Sequence, residues 1–87
     1  NFSIGVNIFF EINKKLASMM ASYPAYDVMI EEIHHTEKKD TPSGTAITIA
    51  EGILNELARK RSWRNEPSED KEILTIISKR MKEVLGF

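Results

Sequence analysis

The sequence predicts an α+β domain with two helices packed on a small mixed β-sheet, and three observations predict it. Apolar residues at Phe9, Ile12, Leu16, Met19 and Tyr23, and again at Ala46, Ala50, Ile53 and Leu57, recur at three- and four-residue steps. That is the period of a helix with one apolar face. Two short runs rich in β-branched and apolar residues, Tyr26 to Ile33 and Ile73 to Ile77, suit pleated strands instead. Finally, 87 residues with 41% hydrophobic and 29% charged side chains suffice for one globular domain with a modest core.

The first helix is expected over roughly 5 to 22, with Glu11, Asn13, Lys14, Lys15 and Ser18 on its polar face. Ser22-Tyr23-Pro24 ends it, because proline cannot continue a helix and disfavours helical geometry just before itself. A strand near 26 to 34 then delivers His34 and His35 at its C-terminal end. The loop from 36 to 42 is polar and closes with Thr41-Pro42, a common approach to a first helical turn. The second helix is expected from Ser43 to about Lys60, with Arg59, Lys60 and Arg61 at its end, where the dipole favours cations. Residues 61 to 71 read as a charged loop. From 72 to 85 a helical stripe and a strand both fit. Three isoleucines and a threonine in Ile73 to Ile77 favour a strand over 73 to 79.

Charge and composition exclude several classes of function. Twelve Lys and Arg against thirteen Asp and Glu give no net field to recruit nucleic acid or a membrane surface. The apolar stretch from Phe2 to Phe10 is too short to span a bilayer. With no cysteine there is no disulfide framework, thiolate metal site or thiol nucleophile, which fits a cytoplasmic location. The start, NFSIGVNIFFEI, lacks an initiator methionine and a signal-peptide n-region, and reads as a cut inside a longer chain.

The chemistry concentrates in HHTEKKDTPSGTA, residues 34 to 46. Ser43, Gly44 and Thr45 stand where the second helix begins, a place with unpaired N–H groups and the positive end of the dipole. A carboxylate or phosphate fits there, with Gly44 permitting close approach; equally, Ser43 or Thr41 is a simple N-cap. Consecutive side chains on a strand face opposite sides, so His34 and His35 cannot share one core. A histidine facing a cleft can exchange protons near neutral pH. Glu32, Glu37 and Asp40 could join the histidines around a metal, but Lys38 and Lys39 beside them disfavour a cation, so no metal is expected.

NFSIGVN at 1 to 7, followed by EEIHHTEKKDTPSGTA at 31 to 46, closely resembles the dihydrodipicolinate reductase family of lysine and diaminopimelate biosynthesis. Every fixed position of the family's E-x-H-H-x-x-K-x-D-A-P-S-G-T-A signature is met except Thr41, where alanine is usual. The resemblance implies that residues 1–87 are part of a C-terminal domain for substrate binding and tetramerisation, with the Rossmann domain for NADPH or NADH outside the chain. It implies His34 as proton donor or acceptor, Lys38 as proton donor, and His35, Ser43, Gly44 and Thr45 around a cyclic dicarboxylate. Asn1 and Phe2 match the segment that reaches the nicotinamide. The chain departs from the family after Met81, where leucine replaces an expected proline, and no Gly-rich dinucleotide turn is present. Two functions therefore stand side by side: part of an NAD(P)H-dependent oxidoreductase, or a non-catalytic assembly domain that keeps the fold. In either case the 87-residue chain is expected to be catalytically silent alone and to self-associate.

Overall fold

The computed structural model describes residues 3–35 and 41–81. Helix α1 spans Ile4–Met20, strand β1 Met29–His35, helix α2 Gly44–Glu56, strand β2 Ser62–Arg64 and strand β3 Ile73–Met81. The strands lie in the order β1-β3-β2, and both pairings are parallel. Helix α2 lies against the sheet and α1 against α2, so the α+β class and both main strands are as the sequence predicts. Among the described residues no helix is long and apolar enough to cross a membrane.

The core forms where the apolar face of α2 meets alternate residues of β3. Ala46, Ala50, Ile53 and Leu57 pack over Leu74 and Ile76, with Val28, Ile30 and Trp63 at the margin. Leu74 and Ile76 are 0% exposed, which resolves the sequence ambiguity in favour of a strand up to Met81. Residues 82–87 lie outside the described residues. Burying each of Ile53, Leu57, Leu74 and Ile76 is worth about 1.5–3 kcal/mol.

Helix α1 opens at Ser3, whose Oγ accepts the Val6 N–H at 3.1 Å, a cap worth about 1 kcal/mol. It meets α2 closely at Gly52, where an added Cβ would lie 3.0 Å from Lys14 Cγ and 3.2 Å from Asn13 Nδ2. Asn13 Nδ2 also donates to the Ile49 carbonyl at 3.0 Å. This contact uses the small and polar side of α1 around Ala17. The stripe that the periodicity picked out faces outward instead: Phe9, Ile12, Leu16 and Met19 are 51–64% exposed. Period fixes which residues share a face but not which face meets a neighbour, and here the close approach at Gly52 decides.

The basic cluster also departs from expectation. Helix α2 stops at Glu56, because Leu57 takes an extended conformation that carries its side chain into the core. Arg59 therefore serves the end of α1, donating to the carbonyls of Met20, Ala21 and Tyr26 at 3.2–3.3 Å. Lys60 is buried, and Arg61 pairs with Glu72. The expected loop from 61 to 71 contains β2, a three-residue strand held against Ile73 to Thr75.

Candidate functional site

Alternation along β1 sends Ile30, Glu32 and His34 toward α2 and leaves Glu31, Ile33 and His35 on the opposite, uncovered face. The parallel register sets Ser78 beside Glu32 and Arg80 beside His34. The chain returns through Thr41 and Pro42 to Ser43, the N-cap of α2, so the helix start stands near the carboxyl ends of two parallel strands. Open parallel sheets commonly bind ligands at that end.

Glu32 joins these pieces. Its Oε1 accepts the Ser43 hydroxyl at 2.8 Å. Its Oε2 accepts the Ser43 N–H at 3.1 Å and the Ser78 hydroxyl at 2.5 Å. Burial pushes the carboxyl upward, but the bonds from Ser78 and from both groups of Ser43, with the close contact of His34, outweigh it and hold the pKa below its ordinary value. His34 Nε2 lies 2.8 Å from Glu32 Oε1. The nitrogen is buried and the approach is out of line for a ring N–H hydrogen bond, so the contact is electrostatic rather than a directed bond.

Ser43 acts inside the fold on both sides: its Oγ accepts the Ala46 N–H at 3.1 Å while donating to Glu32. The next two amides differ. Among the described residues, the N–H groups of Gly44 and Thr45 have no acceptor. Among the described residues, a Cβ at Gly44 would meet nothing within 4 Å, so none of them requires glycine there by packing. Two exposed donors at a helix start can hold one oxygen of an anion. The carboxylate of Glu32 nearby raises the cost of a second anion, and added positive charge would offset it.

The structure thus brings His34 and Ser43 together through Glu32, and places Gly44 and Thr45 one step along the same helix start. His35 is exposed on the other face of β1 and is not brought to this cluster. Lys38, Asn1 and Phe2 lie outside the described residues. Sequence reasoning weighed Glu32 only as a metal carboxylate and passed over Ser78. The available signal was the two-residue step from Glu32 to His34, which puts both on one face of a strand. Clefts of about 490 Å³, on the sheet's uncovered face, and about 740 Å³, along α1, touch none of these groups.

The dihydrodipicolinate reductase C-terminus family matches residues 5–87. A 4-hydroxy-tetrahydrodipicolinate reductase of Christiangramia forsetii is 50% identical over 86 residues, covering 99% of this chain and 36% of the relative. Those of Methanobrevibacter smithii and Methanosarcina mazei are 52% and 47% identical, over 68% and 69% of this chain and 20% and 22% of their own length. The chain spans about a third, or less, of the length of the curated relatives it matches.

Proposed function

Because the chain belongs to the dihydrodipicolinate reductase C-terminal family, we propose that it supplies the dicarboxylate-binding and proton-handling part of a 4-hydroxy-tetrahydrodipicolinate reductase. The observation that carries this is the pair of amides at Gly44 and Thr45, without an acceptor among the described residues, at a glycine whose side-chain space none of those residues fills. One carboxylate of a small cyclic substrate sits against those amides and the Thr45 hydroxyl. Charge-assisted bonds of this kind contribute on the order of 1.5–3 kcal/mol each. His34, reached from the same helix start through Glu32, handles a proton, and Lys38 adds the positive charge that the family resemblance implies.

NADPH or NADH does not fit the described residues. The connection from β1 to α2 has no Gly-x-Gly turn, and the Ser43 amide that would face a pyrophosphate is taken by the Glu32 carboxylate. We assign nicotinamide binding to another part of the full-length protein. The alternative role in assembly rests on a different surface. Met29, Ile33 and Met81 are 53–57% exposed on the uncovered face of the sheet, beside the edge strand β1. A second copy of the chain covers that face, as the family's tetramer implies.

Both readings are tested on the full-length protein that carries this sequence. NADPH- or NADH-dependent reduction of 4-hydroxy-tetrahydrodipicolinate, by a species that sediments as an oligomer at micromolar concentration, is expected. An oligomer without turnover leaves only the assembly role, and an active monomer removes the second copy from the uncovered face.

A further inference from the structure

We infer that Glu32 is a positioning residue of the site, fixing the His34 ring and the start of α2 against one another through a single carboxylate. This deepens the reading above and rests on it. The geometry divides the neighbours between the two oxygens: Oε1 has the Ser43 hydroxyl at 2.8 Å and His34 Nε2 at 2.8 Å, Oε2 has the Ser78 hydroxyl at 2.5 Å, and the Ser43 N–H bridges both, at 3.1 Å to Oε2 and 3.4 Å to Oε1. Strand β1, strand β3 and the cap of α2 therefore converge on one side chain that is itself only 11% exposed.

Three consequences follow for the chemistry. A negative oxygen beside Nε2 holds the ring proton on that nitrogen, so exchange with a ligand falls to Nδ1. The Ser43 N–H and hydroxyl are taken up, so an incoming carboxylate is directed to the next two amides, those of Gly44 and Thr45. Ser78 holds the carboxylate from the neighbouring strand, which keeps Glu32 from following a ligand outward. Among the described residues, the charged or titratable groups on this side of the sheet are Glu32 and His34 of β1 and Arg80 of β3, while α2 presents only the uncharged Ser43 to the cluster.

The test uses the full-length protein with Glu32→Gln, Glu32→Asp, His34→Gln and the double variant Glu32→Gln/His34→Gln, each corrected for its folded fraction. Glutamine keeps the shape and removes the charge. For Glu32→Gln, kcat is expected to fall about tenfold to a hundredfold, by analogy with the loss of a carboxylate that orients a metal-ligating imidazole. Its KM should change less, because Gly44 and Thr45 are untouched. Glu32→Asp, which keeps the charge, should recover part of kcat, and the double variant should be no worse than His34→Gln alone. Nitrogen chemical shifts of the His34 ring should show the proton on Nε2 in the parent and a mixture of tautomers in Glu32→Gln. Unchanged kcat and tautomer in a folded Glu32→Gln variant, with His34→Gln crippled, would overturn the role of Glu32 alone. Full turnover in His34→Gln would instead overturn the functional reading on which this inference stands.

Discussion

The two ends of the sheet each bury a charged side chain, and they do so differently. At the amino end of β3, Lys60 has only 2% of its side chain exposed. Its ammonium donates to the carbonyls of Lys71 at 2.8 Å and Ile73 at 3.2 Å and pairs with Asp27 at 2.7 Å. Three donors meet three acceptors, one of them a counter-charge, and the cluster is closed. At the carboxyl end, Glu32 has neutral hydroxyl and amide donors and a histidine whose contact is out of line, while the helix start beside it keeps two amides open. A closed cluster has nothing left to offer a ligand and contributes stability. An incomplete one leaves donors facing outward, and that is what a binding site requires.

The largest expected effect comes from breaking the closed end. Lys60→Met keeps the apolar stem and removes the charge, leaving two carbonyls without their donor. Each unsatisfied buried group costs roughly 1–3 kcal/mol, partly offset because a buried ammonium no longer has to be desolvated. Asp27 is 52% exposed on its side chain, so its share is discounted for solvent screening. A net loss of about 2–4 kcal/mol is expected by urea denaturation, a large part of the stability of so small a domain. Turnover per folded molecule should not change. A neutral result would mean that the closed cluster is not what holds this end together.

Acid should separate the two ends more gently. Hydrogen bonds hold the Glu32 carboxyl below its ordinary value in the folded protein, whereas the unfolded chain titrates at the ordinary one. Its contribution to stability is therefore fully present above the ordinary carboxylate range and is lost as pH falls through the lowered native value. Asp27 is lowered too, chiefly by its hydrogen bond to Lys60, and acts with the same sign from its more exposed position. The stability difference between parent and Glu32→Gln should thus shrink as the solution is acidified, leaving the limb due to Asp27. A difference that stays constant from neutral pH to below the carboxylate range would show that Glu32 gains nothing from its charge.

How much of this was legible beforehand follows from the kind of information each feature needs. The α2 face could be read because Ala46, Ala50 and Ile53 carry their burial in local periodicity, and β3 because three isoleucines and a threonine in Ile73 to Ile77 suit a strand where the period alone fits a helix as well. The outward turn of Phe9, Ile12 and Leu16 could not, since it depends on where Gly52 lets two helices touch. Burial of Lys60 could not either, because its acceptors come from residues 11 and 13 positions away and from Asp27. At the site, the opposed faces of His34 and His35 follow from strand alternation, and the helix start at Ser43 from its cap. The link through Glu32 required the β1–β3 register, which sets Ser78 beside it across 46 residues of sequence.

The smallest expected effect is at the open end, and it has opposite signs in two measurements. Gly44 begins α2 with no unusual backbone angle, and a Cβ there would meet none of the described residues within 4 Å. Alanine restricts the unfolded chain and suits a helix better, so Gly44→Ala should stabilise the fold by about 0.4–1 kcal/mol. The same methyl stands where an anion has to approach the Gly44 and Thr45 amides. Losing one such contact costs on the order of 1.5 kcal/mol, close to a tenfold rise in KM for the dicarboxylate. Gly52→Ala in the same helix should gain less stability than Gly44→Ala, because its Cβ would press on Lys14 Cγ at 3.0 Å and Asn13 Nδ2 at 3.2 Å, while leaving KM alone. If Gly44→Ala stabilises the protein and KM does not move, the amides at the start of α2 are not where the carboxylate sits. If it destabilises the protein instead, glycine is there for the fold, and the open end is not open for a ligand.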